Sequence, residues 1–147
     1  MIFAIGVFIP IAYIAFSGIN DGIQDSDLIA SDIKDTMQSQ SDGFKNTWDY
    51  TFLTIVIAVL IGLLLISYYL NTYPAVFIIF FVLTILFSLV GGFLANAFSD
   101  LFLNPILGAS LTNFPIINFI LSNYLVFTTI LFISMLVVFF AKPNEGY

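Results

Sequence analysis

The 147-residue sequence contains no cysteine, no histidine and no arginine, and its only basic side chains are three lysines. The chain therefore has no disulfides and lacks thiolate and imidazole metal ligands. It also lacks the usual general base near neutral pH and the side chain that binds phosphate bidentately. These absences exclude most hydrolytic and redox chemistry. The net charge of -6 further argues against a nucleic-acid surface.

Charged residues of either sign are scarce and unevenly placed. They make up 8% of the chain, whereas 61% is hydrophobic and the mean hydropathy is +1.10. Soluble domains carry about a quarter charged residues. No charged side chain lies between Asp49 and Asp100, or between Asp100 and Lys142. The chain is therefore predicted to be all-α: a polytopic helical membrane protein with three to four transmembrane helices and an acidic amphipathic helix between the first and second.

Residues 1–18 form an uncharged apolar run that is just long enough to cross a hydrocarbon core. We predict that it is an N-terminal membrane anchor helix. A secretory signal peptide is the alternative, because Ala15 and Ser17 resemble a cleavage site, but the basic region that precedes such a peptide is absent. Pro10 should kink the helix, and the sequence leaves open whether the run spans the membrane or lies along it.

Residues 19–50 are rich in aspartate, and we predict that they form an acidic amphipathic segment outside the membrane. Apolar residues recur within it at helical spacing, which predicts a short amphipathic helix from about Asp25 to Met37. A turn or linker is expected over residues 38–46. The helix is interpreted either as a partner-binding element or as a connector that folds back on the spans. The candidate partner contacts are Leu28, Ile29, Ile33, Met37, Asp32 and Asp35.

Residues 51–141 are predicted to form a helical membrane domain, followed by a polar tail at 142–147. Its spans are expected at about 51–70, 74–96 and 117–141, the first two joined by a tight hairpin at Asn71–Pro74. Residues 97–116 contain prolines and a glycine, and are predicted to be an interfacial or re-entrant segment. A pore-lining role for this segment is the less favoured reading.

Small and polar residues on the spans are candidates for helix packing, because small side chains let helices approach closely in lipid. These candidates are Ala58, Gly62, Ser88, Gly91, Gly92, Ala95 and Asn123. Aromatic residues at the ends of the second span are predicted to anchor it at the two membrane interfaces. These interfacial anchors are Trp48, Tyr50, Tyr68, Tyr69 and Tyr73. No catalytic, cofactor-binding or metal-binding residue is predicted.

Several short motifs resemble those of one viral family. They are Trp48-Asp49 followed by Phe52, the Asn71–Pro74 hairpin, the Asn96-centred end of the third span, and the run FPIINFILSN from Phe114 to Asn123. In this order they resemble small integral membrane proteins of tailless icosahedral phages that enclose a lipid bilayer inside the capsid. The resemblance covers roughly residues 20–141.

The resemblance implies a structural protein of the internal virion membrane, resident in the host inner membrane before assembly. Its expected partners are the lipid bilayer, copies of itself, and capsid or other virion membrane proteins. Two alternatives are a holin-like pore-forming lysis protein and a small accessory subunit of a cellular transport complex. No enzymatic activity is expected, because the spans contain no charged acid or base.

Overall fold

The computed structural model describes residues 2–69 and 74–141, apart from the side chains at 74–77 and 80. These residues form six α-helices and no strand. The predicted helical membrane fold is therefore confirmed. The helices are α1 (Ile2–Gln24), α2 (Ser31–Tyr69), α3 (Pro74–Leu103), α4 (Pro105–Leu111), α5 (Pro115–Ser122) and α6 (Tyr124–Ala141).

Helices α1 and α2 form an antiparallel hairpin. The Gln24 side-chain amide donates to the Lys34 carbonyl near the turn, and Tyr13 packs on Phe44 further along. At the other end Gly6 lies against Phe52. Residues 2–24 of α1 thus run beside about residues 34–56 of α2. We call α1 together with residues 31–50 of α2 the hairpin.

Residues 51–69 of α2, with α3 and α6, form a second region that we call the apolar bundle. Helix α6 runs parallel to α2, since Ser67 donates a hydrogen bond to the Met135 carbonyl. It runs antiparallel to α3, since Phe87 stacks on Phe132. Helix α6 packs extensively on both neighbours, whereas the described parts of α2 and α3 make little direct contact. Helix α6 is therefore the central helix of the bundle.

Within the described part of the chain, four helices are long and apolar enough to cross a membrane, namely α1, α2, α6 and the Phe81–Leu103 part of α3. The register of the hairpin, however, sets α1 at a different depth from the others. Residue 2 lies level with about Val56, so α1 overlaps the 51–69 part of α2 by only a few residues. A bilayer that encloses 51–69, which is about 28 Å long, encloses about the first quarter of α1.

The segment predicted to be interfacial or re-entrant is a pair of short helices. Helices α4 and α5 are bent by 112° relative to each other, which is the geometry of a broken span or a re-entrant loop. Asn104 starts α4 by accepting hydrogen bonds from the Ile106 and Leu107 amides. Gly108 lies directly against the carbonyl of Phe102, which leaves no room for a Cβ atom. The start of the segment was predicted too early, because α3 continues to Leu103.

Two boundary predictions were wrong. The amphipathic helix begins at Ser31 and not near Asp25, and the turn expected at 38–46 is helical, so α2 continues unbroken into the second span. Phe44 stacks on Phe16 and packs on Tyr13, and these contacts favour helix in a stretch whose serines and Gly43 suggested a turn.

The last span also differs from its prediction. Residues 117–141 do not form one helix, because the chain leaves helical geometry at Asn123, between α5 and α6. Pro10, in contrast, lies inside α1 without ending it. The predicted hairpin at Asn71–Tyr73 lies outside the described residues.

The main core lies where the hairpin meets α5 and the C-terminal end of α3. Its fully buried members include Phe52, Phe98, Phe114, Ile117 and Leu121. The same cluster contains Ile9 and Tyr13 of α1, so this core joins the hairpin to the apolar bundle.

Candidate functional site

A buried carboxylate ties α2 to the start of α5. Asp49 is only 4% exposed. One of its oxygens accepts a hydrogen bond of 3.0 Å from the amide of Ile116, and the other accepts one of 2.9 Å from the amide of Ile117. The first amides of a helix have no partner within that helix, and the helix dipole favours a negative group beside them. Asp49 thus caps a helix 67 residues away.

Helix α5 needs this external cap because its own sequence supplies none. The residue before it, Phe114, makes no side-chain hydrogen bond to the helix amides. Pro115 occupies the first position, where the missing amide hydrogen costs nothing. The Phe114 ring is fully buried and packs edge-on against Tyr13 of α1. The start of α5 is therefore held by a polar contact from α2 and an apolar contact from α1.

Sequence reasoning used Asp49 only as a boundary and a family motif, and missed this role. The signal available was an acid in the Trp48-Asp49 motif and a helix start without a capping side chain at Phe114-Pro115. The structure brings these two motifs of the family resemblance into direct contact. Their separation in the sequence gave no indication of that pairing.

Polar side chains close the other end of the hairpin. The Lys34 ammonium donates to the Gln24 carbonyl at 2.7 Å, and the Gln24 amide donates to the Lys34 carbonyl at 2.8 Å. One turn further along, the Asn20 amide donates to the Gln38 side-chain oxygen at 3.2 Å. These bonds hold together the ends of the two helices beside the turn at residues 25–30.

An ion pair and an aromatic cluster stiffen the middle of the hairpin. The Lys45 ammonium lies 3.0 Å from a carboxylate oxygen of Asp42 and 5.6 Å from the centre of the Tyr13 ring. The hydrogen bond from Lys45, reinforced by its positive charge, lowers the pKa of Asp42. Phe44 contacts the rings of Tyr13, Phe16 and Trp48.

The tip of the hairpin carries an exposed acidic surface, which we call the acidic tip. Its carboxylates belong to Asp21, Asp25, Asp27, Asp32 and Asp35. Of the apolar partner-contact candidates, Leu28 is 97% exposed and Ile33 is 54% exposed, whereas Ile29 and Met37 are half-buried. The two candidate acids, Asp32 and Asp35, are both exposed. The candidates thus divide between exposed and half-buried positions.

The helix-packing candidates also differ in whether they contact another helix. Gly91 is buried, and a Cβ atom there would lie 2.8 Å from the Thr128 hydroxyl oxygen of α6. Gly92 and Gly62 have open space instead, and Ala58 is exposed. Ser88, Gly92 and Asn96 of α3, with Leu125 of α6, line an open groove of about 550 Å³, which we call the outer groove of α3.

The two remaining packing candidates take part in hydrogen bonds with residues close to them in the sequence. Ala95 is half-buried and its carbonyl accepts a hydrogen bond from Ser99, while the side-chain amide of Asn123 donates to the Phe119 carbonyl of α5, the helix that ends just before it.

Four of the five anchor candidates lie within the described residues, and all four are exposed. Trp48 and Tyr50 stand where α2 leaves the hairpin, while Tyr68 and Tyr69 stand near its other end. The two pairs are about 20 residues, or roughly 30 Å, apart, which matches the thickness of a hydrocarbon core. Tyr73 lies outside the described residues.

Within residues 2–69 and 74–141, no three acidic side chains are grouped so that they could hold a metal ion. No family model, no curated protein and no solved structure matches the chain.

Proposed function

We propose that this integral membrane protein is a non-catalytic structural component of a virion. In this proposal the apolar bundle anchors it in the internal lipid bilayer of a phage, and the hairpin links that bilayer to another virion component. The protein resides in the host inner membrane before assembly.

The continuity of α2 is the observation that carries this proposal. One helix of 39 residues contains both an apolar part that matches the hydrocarbon core and a polar part that pairs with α1. The helix extends 17 residues from Trp48 to Ser31, which places the acidic tip about 25 Å beyond the Trp48 level. A rigid projection of this kind suits a spacer between a bilayer and a protein layer.

The charge of the acidic tip specifies the chemistry of the partner. Five carboxylates are exposed there, and the neighbouring lysine, Lys34, is already bonded to the Gln24 carbonyl. Anionic lipid headgroups would repel such a surface. A protein surface bearing lysine or arginine would attract it, with a strength that falls as salt screens the charges.

The family resemblance supports placing the protein in a virion. Two of the motifs that carry it, Trp48-Asp49 and the run that begins at Phe114, meet where α5 is capped. The match in sequence therefore falls on residues that join the hairpin to the rest of the fold.

The proposal is tested by purifying virus particles by sedimentation and asking whether the protein is present in them. The protein should co-sediment with lipid-containing particles and remain with the bilayer after the capsid is removed. Replacing Asp25, Asp27, Asp32 and Asp35 by Asn should leave membrane insertion unchanged and reduce incorporation into particles. A matched control replaces Asp100, an exposed acid on α3, by Asn.

Three results would contradict the proposal. The first is absence of the protein from such particles. The second is abrupt lysis when the chain is expressed in bacteria, which would favour a holin-like protein. The third is co-purification with subunits of a cellular transport complex.

A further inference from the structure

An apolar cleft of about 390 Å³ lies within the apolar bundle. It exists because α6 packs on both α2 and α3, while the described parts of α2 and α3 make little contact with each other. Its walls include Val56, Leu63 and Ile66 of α2, Phe87 of α3, and Leu131 and Met135 of α6. The volume lies within the range of roughly 300–1,000 Å³ typical of small-molecule sites.

The lining of the cleft offers almost nothing to a polar ligand. Its walls are aliphatic and aromatic apart from Tyr124 and Thr128. The Thr128 hydroxyl already donates within α6, with the Tyr124 and Leu125 carbonyls both 2.9 Å away. Apolar cavities do not hold ordered water. An occupant of the cleft therefore has to present an apolar surface.

The cleft extends along one half of the membrane. From Val56 to Ile66 the α2 wall is about 15 Å long, which is half of a hydrocarbon core of about 30 Å. Ile2, Ile120 and Tyr124 line its inner end, near the midpoint between the two aromatic levels of α2. The other end points toward Tyr68 and Tyr69. The cleft thus occupies the leaflet on the tyrosine side.

We propose that this cleft binds one acyl chain of a membrane lipid from the leaflet on the Tyr68 side. A partner helix that crossed the bilayer would run through its full thickness, whereas the cleft ends at Ile2, near the midplane. A lipid chain also ends near the midplane. The site therefore matches a single chain in both length and polarity, and it does not depend on the proposed role in a virion.

Photocrosslinking tests this site. The full-length protein is reconstituted into vesicles of phosphatidylethanolamine and phosphatidylglycerol whose acyl chains carry a diazirine, and the crosslinked residues are mapped by mass spectrometry. Crosslinks should concentrate on cleft residues such as Leu63 and Leu131. They should exceed those at Ile61, which is 53% exposed on the outer side of the same helix.

Substitutions test whether the lipid is retained. Leu63→Trp fills the cleft and should reduce the lipid that remains bound through detergent washing by about tenfold or more. Ile61→Trp adds the same side chain to the outer surface and should leave retention unchanged. Leu83→Trp, at the partly exposed edge of the cleft on α3, serves as a second variant should Leu63→Trp fail to fold.

Three outcomes would overturn the proposal. They are equal crosslinking of the lipid at Ile61 and Leu63, no crosslinking of the lipid at any residue of the cleft, and unchanged lipid retention in both cleft-filling variants.

Discussion

The apolar bundle and the hairpin are held together by different kinds of contact. The hairpin and its junction with α5 are fixed by polar bonds with defined geometry, such as the two amide bonds to Asp49 and the paired bonds between Gln24 and Lys34. The bundle depends mainly on close apolar packing, to which Ser67 adds a hydrogen bond to the Met135 carbonyl. The hairpin should therefore respond to single polar substitutions, and the bundle to changes in shape.

The largest effect is expected at the junction of the two regions. Asp49→Ala removes both hydrogen bonds to a carboxylate and leaves the Ile116 and Ile117 amides buried without partners, which should cost about 3 kcal/mol or more. Hydrogen exchange at these two amides should accelerate strongly, and the unfolding midpoint in detergent should fall.

Asp49→Asn and Asp42→Ala serve as controls for the first prediction. Asp49→Asn places an amide donor in place of one accepting oxygen, and should be intermediate. Asp42→Ala removes an exposed acid from the same helix, and should leave exchange at Ile116 and Ile117 unchanged. Equal effects of the Asp49→Ala and Asp42→Ala substitutions would contradict the capping role.

The next largest effect concerns packing within the bundle. Gly91→Leu forces a side chain against Thr128 and Leu125 of α6, and overpacking of this kind costs about 1–3 kcal/mol. Unfolding in detergent measures the loss. Gly92→Leu is a matched control on the adjacent residue, which faces open space.

The Gly92→Leu variant also tests the expected self-association. If copies pack through the outer groove of α3, chemical crosslinking of wild-type dimers should exceed that of Gly92→Leu dimers. Equal crosslinking would exclude the groove as the contact, and equal stability of the two glycine variants would contradict the packing of α3 on α6.

A smaller effect is expected from the polar contact inside the bundle. Ser67→Ala removes the bond to the Met135 carbonyl and should cost about 0.6 kcal/mol, the average for hydrogen bonds between membrane helices. Ser134→Ala removes a bond within α6 and should have less effect. If Ser67→Ala reduced stability as much as Asp49→Ala does, polar contacts would govern both regions.

The smallest effect concerns pH and the hairpin. Because Lys45 lowers the pKa of Asp42, the pair contributes stability above the unfolded pKa of Asp42 and loses it as pH falls through the lower folded value. NMR titration of the Asp42 carboxyl should show the depressed pKa. In Lys45→Gln the pKa should return toward its ordinary value, whereas Lys34→Gln should leave it depressed.

Sequence patterns predicted much of this structure because the membrane imposes simple requirements. A run such as residues 51–69, without charge and long enough to span, has to be helical to satisfy its backbone hydrogen bonds in lipid. The break near Asn104-Pro105 was anticipated for a related reason, since proline removes a backbone donor. The polar stretch at 38–46 was misjudged, because its helical state depends on contacts between Phe44 and α1 that sequence spacing does not reveal.

The features of the candidate site were likewise predictable only in part. Acidity at the tip of the hairpin and aromatic residues at the ends of the second span follow from local composition. The capping of α5 by Asp49 does not, because it joins residues 67 and 68 positions apart. The small residues of α3 could be recognised as a packing face, but not that Gly91 would meet α6 while Gly92 faced outward.

The sequence by itself determined that this protein is helical, that it inserts into a membrane, and where its charge is concentrated, because each follows from the burial preferences of residues near one another in the chain. Only the tertiary structure decided the depth of α1, the partner of Asp49 and the existence of the cleft beside α6. These three depend on which helices pack together and in what register, and side chains distant in sequence set that register.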